Sequence, residues 1–113
     1  MPKNVTRDEV REAIETGQAV VLEALPAEHY EQGHLPGARN LPHEQVDELA
    51  AQLVPDKATP IVVYCAGGTC ANSGLAARRL EELGYENVSD YDLGKQDWID
   101  AGLPTETTEA PVH

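Results

Sequence analysis

The segment from 61 to 83 constrains the fold of this chain most, because it changes from a strand pattern to a helix pattern within a few residues. It begins with an apolar run, Ile61-Val62-Val63-Tyr64, of the kind found in a strand that is buried on both faces. Cys65 follows, and then a glycine-bearing stretch, Ala66-Gly67-Gly68-Thr69-Cys70. From position 71 the apolar residues recur at helical spacing, at Leu75, Ala76, Leu80 and Leu83. We therefore predict a strand, a loop that starts at Cys65, and a helix.

Strand and helix patterns alternate along the rest of the chain. Thr6 and Glu9 form a capping-box pattern, which predicts a helix that ends at Gly17. Further helices are predicted over 26–32, from 43 to Pro55, over 71–83 and over 95–101. Strands are predicted over 19–22, 39–41, 61–64 and 87–91. This alternation predicts a three-layer α/β domain with a mainly parallel central sheet flanked by helices.

Length and composition indicate one small domain. A chain of 113 residues can bury a single core, which we place in residues 1–104. Residues 105–113 hold few apolar side chains and are predicted to be a flexible C-terminal tail. No stretch has the length of a membrane span, and the N-terminus has no apolar segment typical of a secretory signal. We therefore expect a cytoplasmic location.

The charge and the cysteine count narrow the classes of partner. A formal net charge of −12 repels nucleic acids and anionic membranes, so neither is expected as a partner. Small anions are also repelled at long range, so an anionic substrate must rely on local backbone donors. Two cysteines five positions apart suit reactive or buried thiols in a reducing compartment. The four histidines are scattered, so we expect no zinc site.

Cys65 is the candidate nucleophile. In open α/β sheets, ligands bind beyond the carboxyl ends of the strands, where helix N-termini also point. Gly67 and Gly68 can adopt positive φ, which would let successive N–H groups converge into an anion-binding nest around the sulfur. Such a nest favours a thiolate or a persulfide. The alternative is that Cys65 is only a small buried side chain before an ordinary turn.

Three ordered segments resemble the rhodanese sulfurtransferase family, in particular its single-domain members. The first runs over 28–42, EHYEQGHLPGARNLP, and is similar to the N-terminal signature of that family. The second is the loop at Cys65. The third, similar to the C-terminal signature, combines YDLG at 91–94, Trp98 and AGLP at 101–104. The resemblance covers nearly the whole chain, from Val20 to Pro104, and implies a rhodanese-like α/β fold.

The resemblance also implies a chemistry. Members of the family carry sulfane sulfur as a persulfide on the first cysteine of the loop, which is Cys65 here, and they need neither a metal nor an organic cofactor. The loop from Cys65 to Cys70 has the six-residue length associated with sulfur transfer, and Ala66, Gly67, Gly68, Thr69 and Cys70 are the expected persulfide-binding residues. The donor and the acceptor are then small molecules or proteins.

The chain departs from the family pattern at three places. Cys70 stands where the family often has arginine, and no other loop residue is cationic, so thiosulfate is expected to be a poor donor. Glu23 ends the first main strand without the usual basic partner, because Leu25 occupies that position. Leu93 precedes Gly94 where a second glycine is frequent.

Cys70 adds a second hypothesis. If its sulfur reaches Cys65, it can attack the persulfide, release sulfide and leave a disulfide that a dithiol reductant resets. Cys70 is thus a candidate resolving thiol, and the alternative is a small residue that fills the start of the following helix. Three functions remain open: a sulfurtransferase that acts through Cys65, a thiol redox enzyme that cycles a Cys65–Cys70 disulfide, and a non-catalytic binding module.

The remaining candidates are weaker. Ser73 and Thr69 can donate hydroxyl hydrogen bonds to an anion on Cys65, or they can cap the next helix instead. Arg39 and His34 lie in a matching segment, but Arg39 can simply pair with surface carboxylates, and His34 is expected to make a structural hydrogen bond to the neighbouring turn. Trp98 is predicted to be a core aromatic.

Overall fold

The computed structural model describes residues 2–68 and 70–107 and contains one five-stranded sheet. Every neighbouring pair of strands is parallel, in the order β1-β5-β4-β2-β3. The strands are β1 Lys3–Asn4, β2 Val20–Glu23, β3 Arg39–Asn40, β4 Ile61–Tyr64 and β5 Val88–Tyr91. The predicted parallel α/β architecture is confirmed. β1 was not predicted, because two exposed polar residues give no apolar run.

Four helices join consecutive strands and a fifth follows β5: α1 Arg7–Thr16, α2 Ala27–Gln32, α3 Val46–Leu53, α4 Asn72–Glu82 and, last, α5 Gly94–Asp100. A short 3-10 helix, His43–Gln45, precedes α3. The capping box of α1 is present, with both reciprocal hydrogen bonds between Thr6 and Glu9. Gly17 ends α1 in the left-handed conformation at φ 70°, as predicted. No helix in the described ranges has the length and apolar character that crossing a bilayer requires.

Two apolar cores cover the two faces of the sheet and form the predicted three layers. On one face, Leu22 and Val63 pack with Ala76 and Leu80 of α4. On the other face, Val21 and Tyr64 pack with side chains of α1 and α5, among them Val10 and Trp98. Alternate residues of β2 and β4 serve opposite faces, as the period of a strand requires. Trp98 is 2% exposed and donates its indole N–H to the carbonyl of Pro104 at 2.7 Å, so it is the predicted core aromatic.

The strand register brings the chemistry-bearing residues to one edge. Glu23 of β2 pairs with Tyr64 of β4, and Tyr64 pairs with Tyr91 of β5. Because each of these three residues is the last of its strand, the carboxyl ends of β2, β4 and β5 are aligned side by side at the same edge of the sheet. Cys65, directly after Tyr64, therefore lies at the edge where parallel sheets bind ligands.

The chain also pairs beyond the predicted domain boundary at 104. His34 and Glu106 form an antiparallel bridge, with backbone hydrogen bonds of 2.8 Å in both directions. The Glu106 carboxylate accepts a further hydrogen bond from the N–H of Gly37 at 2.9 Å. Residues 108–113 of the predicted tail lie outside the described residues.

Candidate active site

Cys65 is held between β4 and the start of α5. Its side chain is completely buried. Its carbonyl accepts a hydrogen bond from the N–H of Lys95 at 2.8 Å, and the carbonyl of Ala66 accepts one from the N–H of Gln96 at 2.8 Å. Two main-chain bonds therefore fix the start of the loop against α5.

This close approach requires glycine at position 94. Gly94 adopts φ +71°, a conformation that residues with a Cβ rarely adopt. A Cβ placed there would lie 2.7 Å from the Cys65 carbonyl oxygen and 2.8 Å from the nitrogen of Gly67, well inside contact distance. The glycine of the third matching segment is thus the residue that lets α5 pack against the loop.

The structure corrects the predicted anion-binding nest. Neither Gly67 nor Gly68 adopts positive φ. The backbone donors that act on the two sulfurs come mainly from the first turn of α4: the N–H of Ser73 acts on Cys65, and the N–H of Asn72, together with that of Ala66, acts on Cys70. The first turn of α4 therefore supplies donors to the two sulfurs in addition to the N–H of Ala66 in the loop.

The surroundings of Cys65 favour a protonated thiol, contrary to the predicted thiolate. The thiol donates towards the carbonyl oxygen of Cys70 at 3.3 Å and the hydroxyl oxygen of Ser73 at 3.6 Å. Burial raises the pKa of Cys65, and its hydrogen bond with Cys70 raises it further. The hydroxyl and the N–H of Ser73 lower that pKa without outweighing burial. The nucleophile must therefore lose a proton in the course of reaction.

The surroundings of Cys70, in contrast, favour the ionised thiolate. Its burial is partial and raises the pKa, but hydrogen bonds from the Cys65 thiol and from the N–H groups of Asn72 and Ala66 outweigh it. The pKa of Cys70 is consequently lowered. Both cysteines are free, and each acts on the pKa of the other. The structure therefore brings together the two thiols that the sequence proposed as a pair.

Lys95 provides the cationic partner that the sequence did not reveal for Glu23. Its ammonium lies 3.0 Å from Glu23 Oε1 and donates to the carbonyl of His29 at 3.0 Å. Glu23 is fully buried and also accepts the hydroxyl of Tyr64 at 2.7 Å. The ionised carboxylate next to it raises the pKa of Tyr64, after burial, which is the larger cause. Lys95 therefore takes the place of the basic partner that is absent at position 25.

A cavity of about 310 Å³ opens beside the loop. Ala66 lines it together with Lys95, Gln96 and Ile99 from α5 and His29 from α2. A larger cavity, of about 570 Å³, lies at the opposite edge of the sheet among Pro60, Asn87 and neighbouring residues, away from both cysteines. Of these two cavities, the smaller one borders the loop.

The other candidates have structural partners. His34 is buried, with Nδ1 2.9 Å from the carbonyl oxygen of Tyr30. Arg39 donates to the carbonyl of Leu53 at 2.6 Å. Thr69 lies outside the described residues. Within the two described ranges, no three His, Cys, Asp or Glu side chains are grouped as metal ligands.

Comparison with known proteins decides the family. The model of the rhodanese-like domain matches residues 6–101. This chain belongs to the rhodanese-like domain family. Among its relatives, the HTH-type transcriptional regulator Rv0324 of Mycobacterium tuberculosis is 36% identical, over 96% of this chain and 46% of its own length. The thiosulfate sulfurtransferase GlpE of Actinobacillus succinogenes is 33% identical, over 91% of this chain and 89% of its own.

Solved structures agree with the rhodanese-like fold. The rhodanese-like domain of the Alr3790 protein from Anabaena superposes with a TM-score of 0.80 at 28% identity, over all of this chain and 87% of its own. The family includes sulfurtransferases such as GlpE, and the rhodanese-like chain described here shares their domain. This chain spans less than half the length of the transcriptional regulator Rv0324.

Proposed function

We propose that this chain is a sulfurtransferase that carries sulfane sulfur as a persulfide on Cys65. The observation that carries the proposal is the position of the thiol. Cys65 directly follows the central strand β4 and faces the hydroxyl and N–H of Ser73 in the first turn of α4. These donors stabilise a negatively charged sulfur more than they stabilise a neutral thiol.

The reaction has two displacement steps. The Cys65 sulfur, once deprotonated, attacks the outer sulfur of the donor, so that a Cys65 S–S bond forms and the bond between donor and outer sulfur breaks. A nucleophilic acceptor then attacks the terminal sulfur and releases the Cys65 thiolate. Because the Cys65 side chain is buried, the groups that cover it must move apart to admit each substrate.

The charge distribution favours particular donors. The net charge of −12 repels thiosulfate, and Glu23 already neutralises the cationic Lys95 beside the loop. The expected donor is a bulkier persulfide or a protein persulfide, and the acceptor is likewise a thiol of a small molecule or a protein. Two free cysteines suit a reducing compartment, so the proposed location is the cytoplasm.

A turnover assay tests this function. Purified protein is supplied with glutathione persulfide and a thiophilic acceptor, and the sulfur transferred is measured for wild type, Cys65→Ser and Cys70→Ser. Cys65→Ser is expected to lower kcat/KM by a factor of about a thousand or more, because the nucleophile is lost. Cys70→Ser is expected to keep transfer. Transfer that survives in Cys65→Ser would contradict the proposed mechanism.

The contact between the two thiols favours a second candidate function, a thiol redox cycle. The Cys70 thiolate attacks the inner sulfur of the Cys65 persulfide, HS⁻ leaves, and a Cys65–Cys70 disulfide remains. A dithiol reductant then restores both thiols. This candidate predicts a mass loss of two hydrogens in wild type and none in Cys70→Ser. If neither a persulfide nor a disulfide forms with any donor, the third function, a binding module, accounts for the chain.

A further inference from the structure

One side chain, that of Ser73, lies between the buried thiol and a carboxyl group on the neighbouring strand. The Sγ of Cys65 lies 3.6 Å from the hydroxyl oxygen of Ser73, and both side chains are buried. Asp90 of β5 pairs in register with Val63 of β4. Its Oδ2 lies against the first turn of α4, 3.7 Å from the place where a Cβ on Gly74 would be. Cys65 therefore lies next to Ser73, and the Asp90 carboxyl group lies against the same turn of α4 that carries Ser73.

Asp90 is suited to accept a proton. Its Oδ1 is buried and has no hydrogen-bond partner among residues 2–68 and 70–107. A buried, unpartnered carboxylate oxygen is unfavourable, and protonation of the group relieves this. Burial raises the pKa of Asp90, while the nearby hydroxyl of Ser73 lowers it in part. The carboxyl group therefore takes up a proton more readily than an exposed aspartate does.

We propose that Ser73 and Asp90 take up the proton that Cys65 must lose before its sulfur attacks a donor, a role that rests on the sulfurtransferase function proposed above. The thiol proton moves to the Ser73 oxygen while the hydroxyl proton of Ser73 moves to the Asp90 carboxylate. The products are a Cys65 thiolate, an intact Ser73 hydroxyl that now donates to the sulfur, and a neutral Asp90. One negative charge moves from oxygen to sulfur, and the site keeps its net charge.

Few other titratable groups act on Asp90. Asp92, on the same strand edge, adds a repulsion that raises the pKa of Asp90. In the loop, Cys70 is close enough to Asp90 that the charge of Asp90 raises the pKa of Cys70. From β1, Lys3 pairs with the adjacent position, Ser89. The two α4 residues nearest to the carboxyl group, Ser73 and Gly74, carry no charge.

The pH profile of Cys65 alkylation distinguishes proton transfer from simple electrostatics. All variants are made in a Cys70→Ser background, so that Cys65 is the sole thiol, and the rate with iodoacetamide is followed by mass spectrometry from about pH 5 to pH 10. Removing the negative charge of Asp90 would, by electrostatics alone, lower the thiol pKa and speed the reaction wherever the thiol is still protonated, low pH included. Loss of a proton acceptor instead slows it at low pH, where hydroxide is scarce.

We expect Asp90→Asn and Ser73→Ala to be about tenfold slower or more at pH 6 and to approach or exceed the background variant at pH 10. Ser73→Thr, which keeps the hydroxyl, is expected to restore the low-pH rate. Asp92→Asn is the charge control and is expected to cause no low-pH loss. Equal or faster alkylation of Asp90→Asn at every pH would overturn the proposal. Alkylation needs no sulfur donor, so this result is independent of whether a persulfide forms.

Discussion

At the scale of single residues, the two cysteines have unequal roles because their surroundings differ. Burial keeps Cys65 protonated, whereas hydrogen bonds from Cys65, Asn72 and Ala66 favour ionisation of the more accessible Cys70. The sulfur at the end of the central strand is therefore protected until a substrate displaces its cover. The second sulfur is the one that meets reagents from solution first.

This difference predicts the order of thiol labelling. At about pH 7 Cys70 is expected to react with iodoacetamide at least tenfold faster than Cys65, since alkylation requires a thiolate and access. The pKa of Cys70 is lowered and that of Cys65 is raised, so the difference should shrink as the pH rises towards the pKa of Cys65. Peptide mass spectrometry at short reaction times measures the order, and Cys65 labelled first would contradict it.

At the scale of elements, α5 determines the shape of the site. Its first residue, Gly94, lies against the loop backbone, and the N–H groups of Lys95 and Gln96 hold the carbonyls of Cys65 and Ala66. The Lys95 ammonium then reaches Glu23 at the end of β2. One helix therefore fixes both the loop and the only described salt bridge with a fully buried carboxylate.

Substitution of Gly94 tests the contact between α5 and the loop. Gly94→Ala is expected to lower the free energy of unfolding by about 2 kcal/mol more than Gly102→Ala does, because only the former adds a backbone clash. Gly102, just beyond the other end of α5, has φ +77° but nothing within 4 Å of its Cβ position, so it reports the cost of the conformation alone. Urea unfolding measures both variants. Equal losses would show that the close approach is unimportant.

Removal of Lys95 tests the buried ion pair. Lys95→Met leaves the fully buried Glu23 without a cation and is expected to cost about 3 kcal/mol of unfolding free energy at pH 7. Adding Glu23→Gln removes the uncompensated charge and is expected to recover part of that loss. Arg11→Met breaks the exposed pair with Glu15 and serves as the control, with an expected cost below about 0.5 kcal/mol. A loss for Lys95→Met as small as that of the control would contradict the account.

Sequence reasoning predicted those elements whose signals are local. The apolar runs of β2 and β4, the capping box at Thr6 and the helix-ending Gly17 were all found where the structure has them. The contacts of Gly94 and Lys95 join segments far apart in the chain, so no periodicity reveals them. The conformation of Gly67 and Gly68 was wrongly predicted, since glycine permits positive φ without requiring it.

At the scale of the whole molecule, the charge of −12 acts on every approaching substrate. Twenty acidic residues against eight basic ones produce a field that repels anions, and salt screens such a field over about 10 Å at 0.1 M. The rate of encounter with an anionic donor therefore depends on ionic strength as well as on the site. A neutral donor is not affected in this way.

Because this field repels anions, added salt is expected to speed the reaction with an anionic donor. In a protein that attracts its substrate, added salt slows the reaction. The second-order rate of Cys65 persulfide formation from thiosulfate is expected to rise severalfold between about 0.02 M and 0.5 M sodium chloride. With neutral iodoacetamide in place of a sulfur donor, the rate of Cys65 alkylation is expected to stay nearly constant. Stopped-time mass spectrometry measures both rates, and a fall with salt for thiosulfate would indicate a locally attractive site.

The central claim, that Cys65 is a sulfur carrier, is tested most directly by the intact mass of the reduced protein after exposure to glutathione persulfide. The account predicts a gain of one sulfur atom, which peptide mapping places on Cys65 and which is absent in Cys65→Ser. Cys70→Ser is expected to retain the gain. A protein that folds normally but gains no sulfur at Cys65, from this donor or from thiosulfate, would contradict the account.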